Sequence, residues 1–268
     1  MNSESTESPD CVKCGVALRT AALYCARCGT PRAAAGEQEL PAGTEPAGIE
    51  PSAPTLDRGH ELRVVGWLYG LLLLTSFCFG IAYSVDPTGD FIAWESLVGG
   101  IVICAFAVPF RSEILALLRP STFDRNARKT LAIATVIQFA LLGTVFYLLE
   151  QTGIPFERIT DEMQRHDYAL WQLLVLYSLA PAVLEEIAFR GIIFDRLRRV
   201  LGEREGWLVQ AALFSVLHLS PVIFPTHFAM GLIFGWLRIR SRSLIPGMIL
   251  HAAWNAANIL LELRGGPA

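Results

Sequence analysis

The sequence predicts an all-α polytopic membrane protein, about seven transmembrane helices, preceded by a small N-terminal four-cysteine zinc ribbon. Three observations predict it. Of the 268 residues, 53% are hydrophobic and only 18% are charged, and the mean hydropathy is +0.43, too apolar for an ordinary soluble domain. Apolar runs long enough to approach a bilayer's thickness recur from residue 64 to residue 262. Two CxxC knuckles lie in the first 28 residues, ahead of every apolar run. The net charge of -3 says little about partners, because in such a chain the placement of charges matters more than their sum. Nothing in it suggests nucleic acid.

Residues 1–32 form the first unit. Cys11-Val-Lys-Cys14-Gly15 and Cys25-Ala-Arg-Cys28-Gly29 each offer two thiolates from a tight turn, and together they complete a closed tetrahedral site. Four thiolates leave no open coordination position, so the expected zinc is structural rather than catalytic. So short a module buries almost no core, so the metal is expected to fold it. A disulfide pair is the alternative, disfavoured in a reducing compartment. Met1 to Asp10 is polar and acidic, without the basic and apolar regions of a signal peptide, which predicts a cytosolic N-terminus. Residues 33–60 read as a flexible linker rich in Ala, Gly, Glu and Pro. Residues 61–262 form the transmembrane core.

Within the core the apolar segments fall at about 64–84, 91–110, 130–149, 168–194, 207–221, 222–237 and 244–262. Ser220-Pro221 and Pro225 interrupt the fifth and sixth. The charges between the segments set the orientation. Arg111, Arg119, Arg125, Arg128 and Lys129 follow the second span, Arg196, Arg198, Arg199 and Arg204 the fourth, and Arg238, Arg240 and Arg242 the sixth. Asp86 and Asp90 follow the first, and a mixed-charge stretch from Glu150 to Asp167 follows the third. Every strongly basic loop lands on one face, so the positive-inside rule again predicts a cytosolic N-terminus. Arg238, Arg240 and Arg242 are expected to act only as topology determinants, His60 and His166 as loop residues, and His227 as a structural residue.

Charges inside the fourth span need a reason. Leu184-Glu185-Glu186-Ile187-Ala188-Phe189-Arg190 places two adjacent carboxylates and an arginine within an apolar run. An ionisable residue at bilayer depth costs roughly 2.5 to 3.5 kcal/mol on insertion scales, so such a group is by default functional or paired. On a helix Glu186 and Arg190 are i and i+4 neighbours that can pair, while Glu185 is turned about 100° away and is expected to stay free. Two further polar pairs share helical spacing, Phe214-Ser-Val-Leu-His218 and His251-Ala-Ala-Trp-Asn255. With cytosolic boundaries near Asp195, Trp207 and Leu244, Glu185, His218 and His251 lie roughly 10 to 17 Å deep at 1.5 Å per residue. Polar groups at matching depth in lipid gain most by meeting in one cavity.

Those residues suit water activation. A carboxylate in an apolar cavity can take a proton from water, and an imidazole can orient that water or donate to a leaving amine. His251 and Asn255 could stabilise the oxyanion of a tetrahedral intermediate. Alternatively Glu185, His218 and His251 could be three ligands of a catalytic zinc with one open position. A serine or cysteine nucleophile has less support: Ser215 lacks a third group to orient it with His218, and Cys78 and Cys104 have no base nearby in sequence. Phe214 reads as cavity wall and Trp254 as core.

Glu-Glu-x-x-x-Arg, then Phe-x-x-x-His, then His-x-x-x-Asn, in that order over about residues 168–258, resembles the CPBP family of CAAX-processing and bacteriocin-processing intramembrane endopeptidases, which includes the Ras-converting type and the bacterial Abi proteins. The ordered triple is far more specific than any one motif. The resemblance implies a helical membrane core with a conical cavity open to the cytosol, and the metalloendopeptidase label that the family usually carries. By that analogy Glu185 and His218 activate water, His251 and Asn255 form the oxyanion site, and Glu186 and Arg190 support the first motif. It also implies a peptide or protein substrate, with lipidated or membrane-associated ones included, and residence in the plasma (inner) membrane of a prokaryote. Both a zinc-dependent and a metal-free glutamate mechanism stay open. The ribbon lies outside the shared core and is expected to dock a substrate or protein partner.

Two other classes of function compete. A non-catalytic membrane protein of the bacteriocin-immunity or sensing type would keep the polar cluster for stability or ligand capture. A proton-coupled transporter would also explain buried carboxylates and histidines.

Overall fold

The computed structural model describes residues 57–119, 124–151 and 165–264. The ribbon cysteines Cys11, Cys14, Cys25 and Cys28 and most of the linker lie outside the described residues. The described chain is helical throughout, with no strand among the described residues.

Helix α1 spans Arg58–Val85. The Asp57 carboxylate accepts a hydrogen bond from the His60 backbone N–H at 2.9 Å, an N-cap that starts the helix at Arg58, within the stretch expected to be linker. His60 therefore belongs to the first helical turn and not to a loop. The α1 core stripe is Glu61, Val65, Leu68 and Leu72, and much of the remaining apolar surface is exposed, as a lipid-facing helix requires.

Helix α2 (Phe91–Ala107) ends at Val108-Pro109, where proline's missing N–H breaks the ladder, and α3 (Arg111–Leu117) leaves at 103°. Arg111, expected in a loop, instead opens α3. Helix α4 (Arg125–Glu150) is capped by Asp124, whose carboxylate accepts from the Ala127 N–H at 2.7 Å.

Helix α5 runs from Leu170 to Leu201 and is not regular. Leu174–Leu179 and Glu186–Ile193 adopt π-helical hydrogen bonding, on either side of a short α-helical stretch, Ala180–Glu185. Gly202, with φ +100°, turns the chain into α6 (Glu203–Leu217). That helix stops four residues before the expected boundary of its span. Proline at 221 disfavours helical backbone at Ser220, and Leu219 takes a left-handed φ of 50°. Helix α7 (Phe224–Ser241) then starts with Pro225 in its first turn, where a missing N–H does no harm, and α8 (Ile245–Arg264) follows.

Small residues let α6 and α7 approach closely, the usual device where lipid competes for apolar contact. A Cβ on Gly231 would fall 2.8 Å from Ala211 Cα, and one on Gly235 would fall 2.4 Å from the Trp207 ring. The core beside this contact holds Phe189, Ile192, Ile193, Phe214, Phe234 and Leu237.

One end of the bundle is closed by ions. Arg196 of α5 meets Glu61 of α1 at 3.2 Å and Glu113 of α3 at 2.5 Å, and Arg199 meets the same two carboxylates. Asp195 of α5 takes Arg198 at 2.8 Å and Arg238 of α7 at 3.1 Å. Arg238 is buried, so it is a tertiary contact as well as a topology charge.

Among the described residues, two helices, α1 and α5, are long and apolar enough to cross a membrane by length and composition, and a third if the bent pair of α2 and α3 counts as one span. This fits a membrane protein. Helix α6, at 15 residues, measures roughly 22 Å against a hydrocarbon core of about 30 Å, so it is too short to cross as one straight helix.

Candidate active site

The site is built around α5 at the junction where its second π segment begins. Glu186 and Arg190 are paired, Oε1 to Nη1 at 2.9 Å, with both side chains essentially inaccessible. Both groups are shut off from water, so their attraction is little screened by solvent. Arg190 lies over the Phe214 ring at 4.4 Å and the Phe234 ring at 5.1 Å, and its Nη2 reaches the Gly231 carbonyl at 3.5 Å. A desolvated guanidinium over aromatic faces gains about 2 kcal/mol per good contact, part of what offsets burying it.

Glu185 stands apart from that pair. Its side chain is 23% exposed, against 1% for Glu186. His251 of α8 lies between the two carboxylates, with Nε2 3.9 Å from Glu185 Oε2 and Nδ1 3.6 Å from Glu186 Oε1. In a regular α-helix adjacent side chains diverge by about 100°. The π segment beginning at Glu186 puts more residues into each turn and narrows that angle, which lets one imidazole face both. Gly247, one turn before His251, makes room: a Cβ there would fall 2.5 Å from Glu186 Oε2. Ser178 in the first π segment fastens the same region, donating to the Ala252 carbonyl at 2.8 Å.

His218 is the C-cap residue of α6, directly after Leu217. Its Nδ1 is 2.9 Å from the Phe214 carbonyl. A carbonyl only accepts, so Nδ1 carries the hydrogen and the neutral ring keeps its lone pair on Nε2. The fully buried Phe214 ring joins the histidines, with centroids 5.1 Å from His218 and 6.2 Å from His251. Phe214 is thus wall and spacer together. The structure brings Glu185, Glu186, Arg190 and His251 into direct contact and attaches His218 through Phe214. Asn255 lies one turn beyond His251, half-buried, and takes no part in these contacts.

His227 also belongs here. Its ring is 4.0 Å from that of His218 and 6.2 Å from that of Phe214, and its Nδ1 donates to the Ile223 carbonyl at 3.1 Å. The sequence held only a weak pointer to it, the Ser220-Pro221 to Pro225 break that folds α7 back beside α6. Ser215 is no nucleophile in this arrangement, since its hydroxyl donates to the Phe224 carbonyl at 2.6 Å across that turn.

Among the described residues no group of three or more His, Cys, Asp or Glu side chains is gathered so as to hold a metal ion. The arrangement does offer an accessible carboxylate and imidazoles around an aromatic wall, the elements of water activation.

No match was found among curated proteins or among solved structures. Residues 167–257, which run from the turn before α5 into α8 and contain all of these side chains, match the family model described as type II CAAX prenyl endopeptidase Rce1-like, and this match supports the CPBP family and a CAAX-type intramembrane endopeptidase in general.

Proposed function

We propose that this chain is an intramembrane endopeptidase that hydrolyses peptide bonds near the cytosolic membrane face through a water activated by Glu185 and His218. The observation that carries this reading is the division of labour between neighbouring carboxylates: Glu186 is taken by Arg190 at 2.9 Å, while Glu185 is accessible and beside His251. Glu185 removes a proton from water as the oxygen attacks the scissile carbonyl carbon. His218 orients that water through the Nε2 lone pair. The tetrahedral oxyanion takes hydrogen bonds from His251 and Asn255, and the proton held by Glu185 passes to the leaving amine as the carbon–nitrogen bond breaks. Glu186 and Arg190 hold the α5 geometry, and Phe214 separates the imidazoles. No step is routed through a metal.

The remaining parts of the reading rest on sequence. Seven spans with a cytosolic N-terminus follow from the distribution of arginines, and the plasma membrane of a prokaryote from the likeness to bacterial members of the family. Cys11, Cys14, Cys25 and Cys28 hold a structural zinc whose module docks a protein partner or substrate. The substrates are peptides or proteins at the membrane, lipidated ones among them.

The test is cleavage of a prenylated and a prenyl-free reporter peptide by the purified protein in liposomes. Glu185→Gln should abolish cleavage while the protein still folds; retained cleavage would sink the mechanism. Elemental analysis alongside should give about one zinc per chain. That zinc should be lost in a Cys11→Ser, Cys14→Ser variant whose proteolysis survives.

A further inference from the structure

His227 takes no part in the hydrolytic scheme, yet it is built into the site. His218 ends α6 just before Leu219, whose φ is 50°, so the backbone beyond it does not continue the helix. Among the described residues its side chain has one hydrogen bond, from Nδ1 to the Phe214 carbonyl. A ring tethered at one nitrogen can still pivot about that bond, and pivoting would swing the Nε2 lone pair on the opposite side. Phe214 meets the ring nearly edge-on, at 67°, and limits this motion only partly. His227 packs closely against the ring instead, with centroids 4.0 Å apart and planes tilted by 44°.

His227 is itself well anchored. Its Nδ1 is tied to the Ile223 carbonyl, and the start of α7 is pinned to α6 by the Ser215 hydroxyl on the Phe224 carbonyl. The turn, the pin and the imidazole therefore form a rigid backing for the His218 ring.

We propose that His227 is a positioning residue that fixes the ring plane of His218 and so aims its Nε2 at the reacting water. This rests on the hydrolytic reading above. The aromatic ring, not its nitrogens, does the positioning, so phenylalanine should substitute for it where alanine and glutamine do not.

The experiment compares His227→Phe, His227→Ala and His227→Gln in the full-length protein in liposomes, with Glu185→Gln assayed beside them and folding checked by thermal unfolding. His227→Ala and His227→Gln should lower kcat by about 10- to 100-fold, the scale on which small misplacements of a catalytic group act, with KM nearly unchanged. His227→Phe should stay close to the parent. If Glu185→Gln is inactive but His227→Ala retains its kcat, or His227→Phe is as impaired as His227→Ala, positioning by ring packing is overturned while the hydrolytic reading stands. If Glu185→Gln is active, the hydrolytic reading falls and the positioning role with it. Should His227→Ala fail to fold, the other pair decides: an active His227→Phe with an impaired His227→Gln supports positioning by ring packing, and equal activities overturn it.

Discussion

Gly247 of α8 stands directly against the carboxylate of Glu186 on α5: a Cβ at Gly247 would fall 2.5 Å from Oε2 and 3.2 Å from the carboxyl carbon. The contact links two helices that carry the two halves of the site. A methyl group there must displace Glu186, and Glu186 cannot move without giving up Arg190 or approaching His251. Gly247→Ala should therefore destabilise the protein by about 1 to 3 kcal/mol, the usual range for overpacking a filled core. It should also lower kcat. Detergent-solubilised unfolding and reporter cleavage would check both, and a variant indistinguishable from the parent in each would show that the carboxylate moves freely.

The buried pair Asp195–Arg238 joins α5 to α7 at 3.1 Å, with both side chains less than a tenth exposed. Removing one member leaves the other buried and uncompensated, at a typical 3 to 5 kcal/mol. The two deletions should differ. Asp195 keeps Arg198 at 2.8 Å when Arg238 is lost, whereas Arg238 has no other carboxylate ion pair among the described residues. Asp195→Leu should thus cost more than Arg238→Leu. Equal costs in a denaturant titration would mean that Arg198 does not compensate.

Arg242 closes α7 in the left-handed region, at φ 54°, where its backbone N–H still bonds to the Arg238 carbonyl at 3.0 Å. Glycine takes that conformation without the Cβ penalty. Arg242→Gly should stabilise by up to about 1 kcal/mol, because the side chain is exposed and makes no ion pair among the described residues. A raised unfolding temperature in detergent is the expected readout; a lowered one would show that the arginine does more than end the helix.

Asp57 caps α1 from outside the apolar run, and the His60 backbone N–H is the main reason its carboxyl is held below the usual 3.8. The sign follows from that depression. The charged carboxylate is the form that caps, so its contribution is fully present above about pH 3.8 and is lost as pH falls through the lower, folded value. A carbon-13 titration of the Asp57 carboxyl should show a midpoint below 3.8, and the His60 amide should lose its protection over the same interval. A midpoint at or above that value would mean that the cap is not formed.

Much of this molecule is written in local pattern. The helical membrane class follows from composition, because apolar runs of this length have no other way to satisfy their backbone in lipid. The Glu186–Arg190 contact follows from four-residue spacing, and the grouping of Glu185, His218 and His251 from matching depth in neighbouring spans. Those inferences need only helical periodicity and the cost of buried charge.

Other features depend on how the helices meet. The two π segments of α5 leave no mark in residue spacing, since one additional residue per turn is stabilised by neighbours such as α8 rather than by intrinsic preference. They are what turns Glu185 and Glu186 together toward His251. Arg238 reads as one cation in a basic cluster until α7 sets it against Asp195, and His227 reads as an isolated histidine until the turn at Pro221 lays it on His218. In each case the partner lies on another helix. Sequence determined which residues each helix would carry inward; only tertiary packing, acting through helix register and the breaks at proline, decided which of them would touch.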